Sequence, residues 1–139
     1  MNYKVVLRVT GVALLLEAAA LLIPLCVALL YREDPVPFLA AILLLAAAGL
    51  VLSVVFRRSR GSLQARDGFL AVGLIWALFG VFGALPFRLS GLFGNYADCF
   101  FEAVSGFTTT GASMLTAVEG LPCGLLFWRS FTHWLGGMG

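Results

Sequence analysis

FEAVSGFTTTGAS, residues 101–113, is a short apolar run that ends in three threonines, a glycine and two small residues. Hydrophobic segments lie on both sides of it, in a chain that is otherwise almost entirely of membrane type. Carbonyl and hydroxyl groups inside a membrane are costly unless they bind something, because hydrocarbon offers them no hydrogen bonds. A dehydrated cation is the ligand that such a row of oxygens fits best.

The composition of the 139-residue chain places it in the membrane class. It is 61% hydrophobic and 12% charged, whereas soluble domains are roughly 45–50% apolar and about 25% charged. Its mean hydropathy is +1.01. The net charge of +2 is too small for a nucleic-acid surface, and the basic residues cluster at the ends of apolar segments. The sequence therefore predicts a polytopic membrane protein.

Three apolar segments are long enough to cross a bilayer: Val5–Tyr31, Pro37–Phe56 and Phe69–Phe87. A helix needs about 20 residues to span a hydrocarbon core of about 30 Å. Asp34, followed by Pro35, predicts an N-cap and a proline in the first turn. We therefore expect the second helix to begin there.

Lysines and arginines predict the orientation of these spans, since cytoplasmic segments carry the excess of both residues. They precede the first span and crowd the second connection: Lys4, Arg8, Arg57, Arg58, Arg60 and Arg66. Only Arg32 lies in the first connection, and only Arg88 follows the third span. The N-terminus is therefore predicted to be cytoplasmic, and the segment from Arg88 to about Pro122 begins and ends on the outer side.

The segment Ala97–Phe107 is apolar but too short to cross, because its 11 residues reach only about 16 Å as a helix. Asn95 and Asp98 predict a capping pair at its start. Such a helix stops inside the membrane with its last carbonyls toward the centre, where its partial negative charge favours a cation. Thr108–Ala112 must then return as non-helical backbone, which is tolerated only when it is buried in protein or lines a watery cavity.

The residue types of this return segment suit ion coordination. Thr109 and Thr110 add hydroxyl oxygens without a fixed charge, and Gly111 tolerates a positive φ that helps to align successive carbonyls. The alternative is a structural turn in which threonine side chains hydrogen-bond back to the helix. Spacing alone leaves both interpretations open.

FEAVSGFTTTGAS followed by GLLFWRSFTHWLGGMG resembles the first pore loop and second membrane helix of TrkH-type potassium uptake proteins, in the Trk/Ktr/HKT superfamily. The resemblance covers essentially the whole chain and implies an all-α polytopic membrane protein of potassium-channel-like fold. Residues 1–62 would form an N-terminal two-helix transmembrane hairpin. Residues 63–139 would form the first of four helix–pore loop–helix repeats, incomplete at its second helix.

The resemblance also implies a function and a site. Potassium would be the transported ion, by channel or symport, with no organic cofactor. Thr109, Thr110 and Gly111 would form one of four selectivity-filter strands, flanked by Thr108 and Ala112. Serine at this glycine position is associated with sodium selectivity in the plant branch, so Gly111 implies potassium.

The same resemblance implies partners and a location. The protein would lie in the lipid of the cell inner membrane, form a homodimer when complete, and bind a cytosolic nucleotide-binding regulatory subunit of the TrkA type. The chain ends at Gly139, about 17 residues after Pro122, inside an expected membrane helix. We therefore expect a fragment that lacks three repeats and conducts nothing alone. The alternative is a small protein that tetramerises.

Three ionisable residues are expected at membrane depth. Glu17 lies near the middle of the first span, where we favour a structural contact between helices over a proton site. Glu102 and Arg129 predict a salt bridge that joins the short helix to the last one, because an unpaired buried charge is costly. Exchanging the two charges should then restore activity lost in the single variants. The alternative is that both side chains reach an outer vestibule.

Two other function classes fit parts of the sequence. Ser113 and His133 are candidates for the dyad of an intramembrane serine protease, although Met114 stands where a rhomboid-like enzyme requires glycine. A non-transporting membrane assembly protein fits the apolar helices but leaves the threonine–glycine run unexplained. Because transport explains the threonine–glycine run and the dyad lacks the expected glycine, we predict that the protein is not an enzyme.

Overall fold

The computed structural model describes residues 3–58 and 64–138, and every regular element in those ranges is a helix. In chain order the helices are α1 Tyr3–Ala20, α2 Leu22–Leu30, α3 Val36–Val55, α4 Ala65–Gly83, α5 Leu85–Leu89, α6 Tyr96–Phe107 and α7 Cys123–Met138. Three stretches are long and apolar enough to cross a membrane: Tyr3–Leu30, Val36–Val55 and Ala65–Leu89. The predicted all-α polytopic fold is confirmed. Of the predicted cytoplasmic arginines, Arg60 lies outside the described residues.

The first span consists of two helices rather than the single helix expected from hydropathy. α1 ends at Ala20, and a turn at Leu21 precedes α2. Pro24 accounts for the break, because proline has no N–H to donate to Ala20 and its ring crowds that carbonyl. Hydrogen bonding resumes at once, since the Leu25 N–H donates to the Leu21 carbonyl at 3.2 Å. The span is therefore kinked and not interrupted.

The start of α3 agrees with the sequence. The Asp34 carboxylate accepts a hydrogen bond from the Val36 N–H at 3.0 Å. Pro35 already has helical dihedral angles, φ −81° and ψ −12°. The predicted cap and first-turn proline are therefore confirmed to within one residue, since Pro35 itself occupies the N-cap and α3 begins at Val36.

The helices α1 and α3 cross at two glycines. A Cβ atom at Gly11 would lie 3.0 Å from the carbonyl oxygen of Gly49, and one at Gly49 would lie 2.9 Å from the carbonyl oxygen of Gly11. Small residues at such crossings let helix backbones approach closely, which is how helices gain contact inside lipid. Leu14 and Leu45, both buried, extend this contact into the common core.

The short helix α6 lies between α4 and α7 and packs against both through glycines. Gly80 of α4 faces the side chain of Val104, and Gly136 of α7 faces the backbone of Phe107. The buried indole of Trp128 donates its Nε1–H to the Gly83 carbonyl at 3.0 Å. The ring of Trp128 also meets that of Phe107 edge-on, with centroids 6.2 Å apart. The packing thus fixes where α6 ends.

We expect the Gly49→Ala variant of the complete protein to lose stability, by about 1–3 kcal/mol, because the added methyl meets backbone atoms of α1. Gly73→Ala is the matched control: no atom lies within 4 Å of a Cβ at that position, and alanine favours a helix. Thermal unfolding in detergent measures both. Equal midpoints for the two variants would contradict the close crossing of α1 and α3.

Candidate cation site at the end of α6

The helix α6 begins one residue earlier than predicted, at Tyr96, and ends at Phe107 as expected. Asn95 occupies the N-cap with an extended backbone, φ −112° and ψ 144°, but its side chain makes no capping hydrogen bond. The predicted capping pair was therefore wrong for the Asn95 side chain. The hydroxyl of Tyr96 instead anchors this end by donating to the Val81 carbonyl of α4. Asp98 lies in the first turn, where the positive end of the helix favours an acid.

The other end of α6 is closed by a Schellman motif. The Thr110 N–H donates to the Ser105 carbonyl at 3.0 Å, and the Thr109 N–H donates to the Gly106 carbonyl at 2.9 Å. These are the two hydrogen bonds that define the motif. The sequence predicts that the last carbonyls of α6 point toward the membrane centre. In the structure the turn hydrogen-bonds the carbonyls of Ser105 and Gly106, so these two are already engaged by the protein.

Thr109 has a positive φ of 56°, in the position that glycine normally takes in this motif. A β-branched residue with left-handed backbone is uncommon, and such a conformation costs of order 1–3 kcal/mol. The end of α2 uses the same device with Arg32, at φ 57°. Sequence reasoning missed both positions, because neither residue is the glycine or asparagine that marks such a turn.

Threonine hydroxyls at the turn have an ordered arrangement. Thr108 Oγ1 donates to the Val104 carbonyl at 2.8 Å and lies 2.8 Å from Thr110 Oγ1. Thr108 has a single hydroxyl hydrogen, so Thr110 is the donor of the second hydrogen bond. Thr108 therefore bonds back to the helix, as the structural alternative predicted. Thr109, Thr110 and Gly111 are exposed, which leaves their oxygens accessible to a ligand.

Gly111 has a φ of 76°, as its predicted role requires. No atom lies within 4 Å of a Cβ built there, so glycine is favoured at this position by its positive φ and not by crowding. The next residue differs, because the Ala112 carbonyl accepts a hydrogen bond from Ser105 Oγ at 2.5 Å. The carbonyl of Ala112 is thereby tied to α6.

A buried carboxylate holds the chain segment that follows this turn. Glu102, 1% exposed, lies 2.5 Å from Arg129 Nε of α7. It also accepts hydrogen bonds from the Ser113 hydroxyl at 2.9 and 3.0 Å and from the Met114 N–H at 3.1 Å. The predicted salt bridge is confirmed, and the vestibule alternative is wrong for Glu102. The chain just after Gly111 is thus fastened to both α6 and α7.

The candidate protease dyad does not form. The Ser113 hydroxyl donates to Glu102, and His133 Nδ1 lies 2.8 Å from the Arg129 carbonyl one turn earlier. Within residues 64–138, no hydrogen bond joins Ser113 to His133. The protease alternative therefore has no geometric support.

Glu33, which the sequence did not single out, caps α7 from the connection between α2 and α3. Its carboxylate accepts the Cys123 N–H at 2.5 Å and the Gly124 N–H at 2.8 Å. A negative side chain at the positive end of a helix satisfies free N–H groups and complements the helix dipole. This contact links the first two spans to the last helix. No local sequence pattern predicts it, because Glu33 and α7 are far apart in the chain.

Together these features define a class of protein. The chain has three membrane-spanning stretches and a short helix that ends in an exposed threonine–glycine turn, and a buried ion pair fastens that turn to the following helix. Such an arrangement is typical of pore-loop proteins, in which short helices and irregular backbone present oxygens to an ion.

Comparisons with known proteins agree with this class. A family model described as TrkH, cation transport protein, matches residues 36–139. The Trk system potassium uptake protein TrkH of Vibrio parahaemolyticus is 39% identical, and that of Escherichia coli 38% identical; each match covers 100% of this chain and 29% of the relative. The crystal structure of the potassium transporter TrkH from Vibrio parahaemolyticus matches with a TM-score of 0.94 at 39% identity, covering 100% of this chain and 30% of that one.

The chain belongs to the TrkH family of cation transport proteins. It is therefore a membrane protein, and the relatives that it matches are transporters and not enzymes, in agreement with the sequence. The chain spans about 29% of the length of the relatives that it matches.

We expect Glu102→Gln in the complete protein to lower its stability by about 3 kcal/mol or more, since it leaves the Arg129 charge without its partner. Exchanging the two residues, as Glu102→Arg with Arg129→Glu, restores an ion pair but not the hydrogen bonds from Ser113 and Met114. Recovery of stability should therefore be partial, even if the exchange restores the activity lost in the single variants, as the sequence predicts. Thermal unfolding measures the three forms.

The exposed Glu119 provides the matched control, as Glu119→Gln removes a carboxylate that no contact requires. Full recovery in the exchanged variant would show that the ion pair alone matters. No loss in Glu102→Gln would contradict the role of the buried carboxylate altogether.

We expect Glu33→Ala to fray the first turn of α7 by removing the cap, at a cost of about 0.5–2 kcal/mol. Amide hydrogen exchange should accelerate at Cys123 and Gly124 and stay unchanged in the middle of α3. Protection equal to that of the original protein would mean that solvent or another group caps α7 instead.

Proposed function

We propose that this chain is the N-terminal part of a Trk-type potassium uptake protein and that Thr109, Thr110 and Gly111 supply one of its four selectivity-filter strands. Membership of the TrkH family supports the cation class, and the names of the curated relatives support potassium. The observation that carries the residue assignment is the exposed turn at the end of α6, with Gly111 at φ 76° and the chain after it fastened by Glu102.

The chemistry of the turn supports a weakly held monovalent cation. Its ligands would be neutral oxygens, from the carbonyls of residues 108–111 and the hydroxyl of Thr110. Because Thr110 donates its hydrogen to Thr108, the lone pairs of its oxygen stay free to accept a cation. Neutral oxygens replace a hydration shell without holding the ion as tightly as carboxylates would, which conduction requires. Glu102 is paired with Arg129 and so adds little net charge to the site.

Further parts of the proposal concern the complete protein. Residues 1–62 would form the hairpin, and residues 63–139 would form the first repeat. The protein would lie in the cell inner membrane with its N-terminus in the cytoplasm. Three further repeats of the same chain would close the pore around four such turns. A homodimer and a cytosolic subunit of the TrkA type would complete the system. The concentration of arginines between α3 and α4 supports the orientation.

The test is Gly111→Ser in the complete protein, measured as potassium and sodium flux into vesicles. Serine adds a Cβ at a positive φ, which costs of order 1–2 kcal/mol, and an extra oxygen beside the ion path. We expect weaker potassium uptake or less exclusion of sodium.

Gly91→Ser is the matched control for backbone strain, because Gly91 has a φ of 73° and equally open surroundings but lies before α6. It should lose similar stability and keep its selectivity. Unchanged selectivity in Gly111→Ser, or an equal change in Gly91→Ser, would count against the filter assignment.

A further inference from the structure

Glu17 is a buried carboxyl group that the proposed function does not use. Its side chain is 2% exposed, and neither carboxyl oxygen has a hydrogen-bond partner among residues 3–58 and 64–138. The sequence favoured a structural contact between helices at this position. The structure corrects that interpretation in part, because Glu17 contacts its neighbours but forms no hydrogen bond with them. An unpartnered acid inside a membrane span is a candidate functional site.

Glu17 is one of the residues that line a partly open cavity of about 240 Å³ between α1, α4, the end of α6 and α7. Its other walls are apolar side chains and one glycine; the largest are Trp76, Phe79, Phe107 and Leu135. A bare carboxylate in such surroundings lacks both water and a counter-charge, at a cost of many kcal/mol. The neutral acid avoids most of that cost. The geometry of the cavity therefore favours a proton on Glu17.

Among residues 3–58 and 64–138, Glu17 is the only charged residue that lines this cavity. The helix α3 carries no titratable residue. On α4, α6 and α7, the titratable side chains all lie outside the lining: Arg66, Asp67, Tyr96, Asp98, Cys99, Glu102, Cys123, Arg129 and His133. Glu102 and Arg129 are paired with each other. Nothing among these helices can therefore take the place of the proton.

Glu17 is also placed to influence the turn that follows α6. A Cβ atom at Gly83 would lie 3.2 Å from Glu17 Oε1 and 2.7 Å from the ring of Phe107, so the acid and the ring meet at the same point of α4. Phe107 is the last residue of α6 and directly precedes Thr108. A charge on Glu17 would draw water into the cavity and loosen the contacts that hold this ring.

We propose that Glu17 is a proton-binding site whose occupied, neutral form holds the end of α6 in place. When the proton leaves, the packing around Phe107 loosens and the threonine–glycine turn loses its support. Potassium flux through the complete protein should then fall at alkaline pH. The proton site stands on the cavity alone, whereas the effect on flux rests on the proposed function.

The first experiment measures the proton directly, by infrared difference spectroscopy of the complete protein titrated from neutral to alkaline pH, above the ordinary carboxyl range. We expect a protonated-carboxyl band at neutral pH that disappears on alkaline titration. The band should be missing in Glu17→Gln and present in the control Glu119→Gln, whose carboxylate is exposed. A spectrum of Glu17→Gln identical to that of the unaltered protein would overturn the proposal.

The second experiment measures potassium flux over the same pH range. The alkaline decline should occur in the unaltered protein and in Glu119→Gln, and it should be lost in Glu17→Gln, which keeps a neutral side chain at every pH. Should Glu17→Gln fail to fold, Glu17→Asp provides a second acid and should move the midpoint of the decline. An unmoved midpoint, or a decline that persists in Glu17→Gln, would overturn the coupling. Absence of flux in every form would refute the proposed function and leave the infrared result to decide the proton site.

Discussion

The buried carboxylate of Glu102 is the constraint on which the arrangement around the threonine–glycine turn depends. It joins three parts of the chain: α6, on which it lies, α7 through Arg129, and the loop after Gly111 through Ser113 and Met114. Charge-assisted hydrogen bonds of this kind are stronger than neutral ones, and each fixes a direction. Irregular backbone has no ladder of its own to hold it, so its shape must come from such external contacts.

Close helix packing makes this arrangement possible. The short helix α6 cannot be held by a long apolar surface, and glycines at its contacts allow α4 and α7 to approach its backbone. The cap that Glu33 places on α7 fastens the other end of that helix to the first two spans. The hairpin and the following helices therefore share one core, and the turn is supported by segments far away in the sequence.

Three glutamates in this protein illustrate three solutions to placing an acid among membrane helices. Glu102 pairs with an arginine, and Glu33 pairs with the free N–H groups of a helix start. Glu17 has neither, although it is as deeply buried as Glu102. Because an ionised acid requires a counter-charge or donors in low dielectric, the third solution is a proton. The difference between these residues lies in their neighbours and not in their chemistry.

The sequence by itself determined the membrane class, the three spans, the short helix Tyr96–Phe107 to within one residue, the Asp34 hydrogen bond at the start of α3 and a glycine that tolerates positive φ at position 111. These features depend on hydropathy over a window or on the conformational preference of one residue, and both are local. Even the Glu102–Arg129 pair followed from the cost of leaving a charge alone in a membrane.

Tertiary structure alone decided the surroundings of Glu33 and Glu17. The Glu33 cap joins residues 90 positions apart, and Glu17 is unpartnered only because of what α4, α6 and α7 place around it. The positive φ of Thr109 belongs to the Schellman motif at the end of α6, where Gly136 of α7 contacts the backbone of Phe107. Contacts between residues far apart in the sequence depend on how the helices pack. The sequence of one helix does not specify where its neighbour lies.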